Sequence, residues 1–143
     1  FIDVKARSRE IKIEKELASE LPRVMLDRQQ IKQVLLNLFL NAMDAIGESG
    51  GTLRVRTSRI MKPEGNFWVQ IDVEDTGCGI PPANLERIFD PFFTTKHKSG
   101  ENEGTGLGLA IAHQIIREHR GDIHVRSAEG AGTTFCIDLP SSV

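Results

Sequence analysis

The sequence has few cysteines, no long hydrophobic run and almost no net charge. Its two cysteines, Cys78 and Cys136, form no CxxC pair and no disulfide framework, which fits a reducing, cytoplasmic compartment. No apolar run reaches the roughly 18 residues of a membrane-spanning helix. A formal charge of −2 gives no reason to expect nucleic acid or anionic lipid as a partner.

The sequence also lacks a signal-peptide pattern, and it begins with Phe1 instead of methionine. We therefore expect a piece of a longer protein, whose other parts could carry a membrane anchor. With 143 residues, 39% of them hydrophobic and 27% charged, one globular domain with a sizeable core is expected. We assign residues 1–10 to a linker or the end of an upstream helix, and residues 11–143 to the domain.

The most informative stretch is residues 29–48, QQIKQVLLNLFLNAMDAIGE. At about 100° per residue, its polar side chains fall in one narrow stripe, which consists of Gln33, Asn37, Asn41, Asp44 and Glu48. Almost every other direction is apolar, which predicts a helix of about five turns that is buried on nearly all sides. Because buried amides are costly without hydrogen bonds, the stripe is expected to face a ligand, a partner or a water-filled cavity. Pairing with neighbouring backbone is the alternative.

The start and the end of this helix also have sequence signals. Asp27 is a suitable N-cap, and Gly47, Gly50 and Gly51 are expected to end the helix.

The other patterns predict a sheet and two shorter helices. Alternating apolar residues predict strands at 11–17, 21–27, 52–60, 68–75, 122–127 and 133–139. A turn at 19–22 would separate the first two, and the strands at 52–60 and 68–75 are expected to form an antiparallel hairpin covered on one face. Helices are predicted at 84–89 and 107–119. The second would close at Gly121 and bury Ile111, Ile115 and Ile116. The layout predicts an α+β fold with a mixed, mostly antiparallel sheet and helices on one face.

Residues 94–106, TTKHKSGENEGTG, contain no apolar side chain. Such a segment cannot bury enough surface to be held rigid, so we predict a mobile loop and a candidate lid. Lys96, His97 and Lys98 in this loop could balance phosphate charge, although a solvated run of charges is the alternative.

Two glycine-rich segments could contact a ligand. Asp75 comes at the end of a predicted strand, where a carboxylate can accept a hydrogen bond from an exocyclic amine, and Gly77 and Gly79 would let a planar group approach the backbone. In GTGLGLAI, residues 104–111, glycines precede a helix whose free N–H groups could bind an anion such as phosphate. Plain turns that bind nothing are the alternative in both places.

Taken together, these segments resemble the ATP-binding catalytic domain of the sensor histidine kinases of two-component systems. LNLFLNAMDAI is similar to the N box of that family, DTGCGI to its G1 box, IFDPFFTTK to its F box and GTGLGLAI to its G2 box. The four boxes occur in the family's order, and the match covers about residues 27–139. The IFDPFFTTK variant resembles the nitrogen-regulatory sensor kinases in particular. The resemblance implies a two-layer α/β sandwich with three helices over a mixed sheet.

The resemblance also implies a site for Mg²⁺ and ATP. Asn41 would ligate Mg²⁺ through its side-chain oxygen, Asn37 would face the same cation or the phosphates, and Asp75 would accept a hydrogen bond from the adenine amino group. Catalytic roles would fall to Asn37, Asn41 and Lys96. The implied ATP-binding residues are Asn37, Asn41, Asp44, Asp75, Gly77, Gly79, Ile80, Phe89, Phe92, Phe93, Thr94, Thr95, Lys96, Gly104, Thr105, Gly106, Leu107, Gly108 and Thr133.

One position separates two branches of the wider superfamily, and a second departs from the pattern of some sensor kinases. Gyrase-like ATPases have a glutamate one turn before the Mg²⁺ asparagine, as the base for the attacking water. This chain has Asn37 there, an amide that cannot take the proton, so the γ-phosphoryl group should be kept for a protein acceptor. Asp44 stands where some sensor kinases have a basic residue that touches phosphate, which leaves that contact in doubt.

The acceptor itself is absent from this chain. The family phosphorylates a histidine that is followed by Glu or Asp, and none of the four histidines here has that context; they are His97, His113, His119 and His124. The resemblance therefore implies a partner dimerisation domain of the same kinase, of which residues 1–10 could be the end of a helix. It also implies a homodimeric full-length protein, a monomeric isolated domain and a response regulator as an indirect partner. A related ATPase or serine kinase, or a nucleotide-sensing module, are the alternatives.

Overall fold

The computed structural model describes residues 10–91, 93 and 107–142. The strands form one sheet in the order β1-β2-β3-β5-β4, with bounds β1 (Ile11–Glu16), β2 (Gly51–Met61), β3 (Phe67–Asp75), β4 (Asp122–Ala128) and β5 (Gly132–Pro140). The α-helices are α1 (Arg28–Ile46) and α2 (Gly108–Glu118). β1 pairs with β2 in parallel, and the other neighbouring strands are antiparallel. The predicted α+β fold with a mixed, mostly antiparallel sheet is confirmed.

Helix α1 begins and ends where the sequence signals place it. The Asp27 side chain accepts a hydrogen bond from the Gln30 N–H at 3.0 Å, which satisfies one of the free donors of the first turn. Gly47, at φ 75°, ends the helix, and its N–H bonds to the Met43 carbonyl. The short 3₁₀-helix Gly47–Ser49 then leads to β2. The caps were therefore readable from the sequence.

The core lies between α1, α2 and one face of the sheet. On α1 the buried residues are Ile31, Val34, Leu38, Ala42, Met43 and Ile46, and on the sheet Leu53, Val73, Phe135, Ile137 and Leu139 are at most 2% exposed. Each fully buried side chain of this size contributes about 1.5–3 kcal/mol. The prediction that α1 is buried on nearly all sides is wrong, because one face is fully buried and Leu35, Phe39 and Leu40 are only partly covered.

The opposite face of the sheet is polar. Arg54 on β2 forms ion pairs of 2.9 Å with Glu14 of β1 and Glu74 of β3, so one side chain joins three strands. Lys62 pairs with Asp138 of β5 at 2.9 Å. The alternation of apolar and charged residues along β2 and β3 thus separates a covered face from a solvated one, as is usual for antiparallel sheets.

Residues 21–27 form no strand, so the predicted strand there is wrong, whereas the predicted hairpin of 52–60 and 68–75 is confirmed by the antiparallel pair of β2 and β3. β1 pairs with β2, which places Ile13 opposite Leu53 and directs its apolar side chains to the core. A parallel pair needs a long crossover, and α1 supplies it. Leu21, Met25 and Leu26 stay exposed, since no neighbouring strand covers this segment.

The two shorter helices also differ from the prediction. Instead of a helix at 84–89, the chain forms the 3₁₀-helix Pro82–Asn84 followed by turns. The part of the chain that the structure describes thus has two α-helices, not the three implied by the resemblance. None of its helices is long and apolar enough to cross a bilayer.

Helix α2 occupies the predicted segment, but its details differ. Ile111 is 41% exposed, contrary to the prediction, because it lies about 90° from the stripe of Ala112, Ile115 and Ile116 that faces the core. The left-handed residue after the helix is Arg120, at φ 62°. Gly121 follows it and donates its N–H to the Ile116 carbonyl at 2.9 Å.

Candidate functional site

Asp75 is a buried carboxylate at the end of β3. It is 3% exposed, and its Oδ1 accepts a hydrogen bond from the Gly77 N–H at 2.8 Å. Burial raises the pKa of Asp75 from 3.8 to about 6, against the lowering effect of hydrogen bonds from the backbone of Gly77 and Thr133. A desolvated carboxylate with a fixed direction is a strong acceptor, and its predicted hydrogen bond from an exocyclic amine stays a prediction.

The glycine turn after Asp75 is held between α1 and the turn that joins β4 to β5. A Cβ on Gly77 would lie 2.5 Å from the Ala45 carbonyl carbon, and the Cys78 N–H donates to the Ala45 carbonyl at 3.1 Å. On the other side, the Gly130 N–H donates to the Cys78 carbonyl at 2.7 Å. Gly77 is therefore required for the close approach of the turn to the end of α1.

Thr133 lies directly opposite Asp75 across the β3–β5 pair, and Ser127 lies opposite Thr133 on β4. The Ser127 hydroxyl is 2.9 Å from the Thr133 hydroxyl and accepts the Ile80 N–H at 2.8 Å. Ser127 was not among the predicted site residues. Its position on the covered side of the strand VRS was visible in the sequence, but its pairing with Thr133 depends on the strand register.

The amide stripe of α1 connects this turn to the start of α2. The Asn37 Nδ2 donates to the Gly108 carbonyl at 3.0 Å, while the Asn37 Oδ1 accepts from the Gln33 Nε2 at 3.0 Å. From Asn37 to Ala45 the helix advances about 12 Å. The stripe thus runs from the N-terminus of α2 to the glycine turn beside Asp75. For Asn37, the alternative of pairing with neighbouring backbone is what the structure shows.

Asn41 and Asp44 occupy the middle of the stripe, and both are half-buried. The Asn41 carboxamide forms no hydrogen bond with another described residue, so its oxygen is available to a ligand. No group of three or more His, Cys, Asp or Glu side chains in the described ranges could hold a metal ion.

Two phenylalanines of the predicted F box, Phe89 and Phe93, lie in the described part of the chain, and both pack against the core. Phe89 lies against the core, with its ring 5.0 Å from His113 and 6.3 Å from Phe135. Phe93 also contacts the core and lies under the Arg87 guanidinium, 4.7 Å from the ring centroid. His113 therefore takes part in the packing of Phe89.

Several predicted site residues lie outside the described part of the chain, as does the predicted lid at 94–106; they are Phe92, Thr94, Thr95, Lys96, Gly104, Thr105 and Gly106, with His97 and Lys98. Of the remaining predicted residues, Asn41 and Asp44 lie on α1, Phe89 and Phe93 pack against the core, and the others form two groups. Asp75, Gly77, Gly79, Ile80 and Thr133 meet at the ends of β3 and β5, and Asn37, Leu107 and Gly108 meet where α1 contacts α2.

Comparison with known proteins identifies this arrangement. The model of the family "Histidine kinase-, DNA gyrase B-, and HSP90-like ATPase" matches residues 26–143. The sensor histidine kinase ZraS of Escherichia coli K12 is 44% identical over 138 residues, which cover 96% of this chain and 27% of that protein. AtoS of the same organism, a signal transduction histidine-protein kinase, is 45% identical over 87% of this chain and 19% of its own length.

Among solved structures, the catalytic domain of histidine kinase ThkA is similar in fold, with a TM-score of 0.80 and 38% identity over 98% of this chain and 86% of that chain. The chain belongs to the histidine kinase-, DNA gyrase B- and HSP90-like ATPase family, and it is an ATP-binding catalytic domain of the sensor histidine kinase type. This confirms the assignment from the four boxes, and ZraS and AtoS are compatible with the nitrogen-regulatory-like subfamily. The chain spans about a quarter of the length of ZraS.

Proposed function

We propose that this domain holds Mg·ATP and transfers the γ-phosphoryl group to a histidine on a separate dimerisation domain of the same kinase. The observation that carries the proposal is the buried Asp75 carboxylate, 3% exposed, at the end of β3 and beside a glycine turn. A carboxylate there can accept the 6-amino group of adenine. In guanine a carbonyl oxygen replaces this amino group, so two acceptors, the carboxylate and the carbonyl, would face each other. Adenine is therefore the base that fits.

The orientation of the nucleotide follows from the two ends of the amide stripe. With adenine at Asp75, the phosphates would extend along α1 towards the first turn of α2, which begins at Gly108. Free N–H groups and the helix dipole favour phosphate at such a place. The length of about 12 Å between Asn37 and Ala45 is suitable for an extended nucleotide.

Asn41 is the proposed ligand of Mg²⁺. Mg²⁺ prefers oxygen ligands and often takes only one or two from the protein, with phosphates and water completing the shell. The half-buried Asn41 carboxamide, without a hydrogen-bond partner among the described residues, fits that requirement. When bound, Mg²⁺ would neutralise phosphate charge. Asn41→Ala should therefore weaken ATP binding in the presence of Mg²⁺ and leave it nearly unchanged with EDTA.

Asn37 supports transfer to a protein instead of hydrolysis. Its amide has no basic lone pair for a proton, and both of its polar atoms are engaged, the nitrogen with the Gly108 carbonyl and the oxygen with Gln33. Water would therefore lack a base at this position. The domain would act by positioning and charge neutralisation, which phosphoryl transfer mainly requires.

Two solved relatives support the proposed ligand and partners. ShkA, 28% identical over 99% of this chain, was solved full-length in complex with AMPPNP. ThkA, 34% identical over 99% of this chain, was solved in complex with the response regulator TrrA. By analogy we propose a cytoplasmic domain that works within a homodimeric kinase and supplies a response regulator indirectly.

The test is a transfer experiment with γ-labelled ATP. The 143-residue chain is mixed with a separately made dimerisation domain of a close relative such as ZraS, and with the same domain whose acceptor histidine is replaced by glutamine. Label that appears only on the domain with histidine is the expected result. Steady phosphate release without any acceptor would favour an ATPase. Tight ATP binding with no label on any acceptor would favour a nucleotide-sensing module.

A further inference from the structure

Ser127 connects three groups around the Asp75 site. Its hydroxyl oxygen accepts the Ile80 N–H at 2.8 Å, lies 3.0 Å from the Gly132 carbonyl and lies 2.9 Å from the Thr133 hydroxyl. Thr133 is 5% exposed, and it lies directly opposite Asp75 in the register of β3 and β5. Ser127 therefore touches the residue that stands next to the proposed adenine acceptor.

The directions of these hydrogen bonds follow from counting protons. A serine hydroxyl has one proton to donate and two lone pairs to accept with. The Gly132 carbonyl can only accept, so the Ser127 proton must go there if that contact is a hydrogen bond. The contact between Ser127 and Thr133 is then a hydrogen bond only if Thr133 donates. This is the one arrangement that satisfies all three contacts at once.

In that arrangement the Thr133 proton is used by Ser127, and only lone pairs of the Thr133 oxygen remain for a ligand. The Asp75 carboxylate beside it also offers only lone pairs. Two neighbouring acceptors favour a ligand edge that donates, such as an exocyclic amine, and disfavour a carbonyl. A free Thr133 hydroxyl, in contrast, could rotate and donate to a carbonyl.

We propose that Ser127 is a positioning residue for base selection: by accepting the Thr133 proton, it keeps the Asp75 end of the site free of donors and thereby favours 6-amino over 6-oxo purines. This inference rests on the proposed binding of ATP. Ser127 acts through Thr133 and does not itself touch the nucleotide.

The experiment measures the dissociation constants of Mg·ATP and Mg·ITP by calorimetry at pH 7.5. ITP differs from ATP at the base edge, where a carbonyl replaces the amine. In Ser127→Ala the ratio of the ITP to the ATP dissociation constant should fall about fivefold, the size of one neutral hydrogen bond. Ser127→Thr keeps the hydroxyl, so its ratio should equal that of the unaltered chain.

Thr57→Val is the matched control. Thr57 also carries a hydroxyl that accepts one backbone N–H, from Ala18 at 2.9 Å, but it lies farther along the sheet, opposite Ile71 instead of Asp75. Removing the Thr57 hydroxyl should leave the ratio of the ITP to the ATP dissociation constant unchanged. If Ser127→Ala does not fold by circular dichroism, Ser127→Cys replaces it, since a thiol is a weak acceptor and should lower the ratio as well.

The outcomes separate the two proposals. If the unaltered chain binds ATP and the ratio is the same in Ser127→Ala, or Ser127→Cys in its place, the role of Ser127 is refuted and the proposed function stands. An equal fall of the ITP-to-ATP ratio in Ser127→Ala and Thr57→Val would also refute the role of Ser127, because the change would then reflect a general loss of stability. If the unaltered chain binds neither nucleotide, the proposed function fails and the role of Ser127 fails with it.

Discussion

Replacing Asp75 by asparagine is expected to change stability and nucleotide affinity in opposite directions. The side chain is 3% exposed, and burial raises its pKa from 3.8 to about 6. Above pH 6 the folded domain therefore holds a desolvated charge that the unfolded chain keeps in water. Asn has nearly the same shape without the charge, so Asp75→Asn removes this cost.

The magnitude follows from the two pKa values. At about 1.36 kcal/mol for each pH unit between them, the ionised carboxylate costs the folded state about 3 kcal/mol at pH 7.5. Asparagine offers one acceptor oxygen where the carboxylate offers two, so it can lose one of the hydrogen bonds from Gly77 and Thr133, worth about 1 kcal/mol. The expected net gain in the free energy of unfolding is about 1–2 kcal/mol.

The pH dependence has a definite sign. Because the folded-state pKa of Asp75 is above the unfolded one, the folded state binds the proton more tightly. The contribution of Asp75 to the free energy of unfolding of the wild type therefore increases as pH falls through 6, and it reaches its full value below pH 3.8. Between pH 7.5 and pH 5 the wild type should gain about 1.4 kcal/mol from this group, and the advantage of the variant should shrink by that amount.

Urea unfolding of both chains at pH 7.5 and pH 5, followed by circular dichroism, measures these differences. Calorimetry at pH 7.5 supplies the second arm, where Asp75→Asn should bind ATP about 1.5–3 kcal/mol more weakly, the scale of a charge-assisted hydrogen bond. A variant that is less stable than wild type at pH 7.5, or a stability difference that does not change with pH, would refute the burial argument. Unchanged ATP affinity would refute the adenine role.

Three further changes test other parts of the structure. Iodoacetamide should modify the exposed Cys78 quickly and spare Cys136, whose pKa burial raises to about 11; mass spectrometry after partial reaction would contradict this if both thiols reacted alike. Arg120→Gly should raise the free energy of unfolding by about 1 kcal/mol, since glycine adopts φ 62° without strain; no gain in the urea midpoint would count against it. Gly77→Ala should lower stability by more than about 2 kcal/mol, because its Cβ would lie 2.5 Å from the Ala45 backbone, and an unchanged midpoint would show that the turn can move.

Local signals accounted for most of the fold. The strand alternation of β2, β3 and β5 and the amide stripe of α1 depend only on side-chain periodicity, which is a property of neighbouring residues. The Asp27 cap is likewise local, since its side chain reaches the Gln30 N–H within one turn. Asp75 could be proposed as a candidate site residue for the same reason, since it stands where an alternating strand meets a glycine turn.

The errors came from features that depend on distant parts of the chain. Residues 21–27 have strand-like composition, but no strand pairs with them, because β1 pairs with the distant β2, where Ile13 lies opposite Leu53. The Ser127–Thr133 contact requires the register of β4 against β5, which no local pattern specifies. The left-handed conformation after α2 was expected at Gly121, because glycine adopts it without strain. In the structure it falls on Arg120, since the chain reverses direction one residue earlier.

The parallel pairing of β1 with β2 has a consequence for the order of folding. Glu14 and Arg54, which bond across this pair, are 40 positions apart, whereas the β2–β3 hairpin closes locally through the Lys62 N–H and the Asn66 carbonyl. Joining distant segments loses more chain entropy and is slower. We therefore expect the hairpin to form early and β1 to be added to a sheet that already exists. As a short edge strand, β1 is also expected to detach before the central strands. Its backbone amides should exchange with deuterium through local openings, at lower protection than those of the central strand β5.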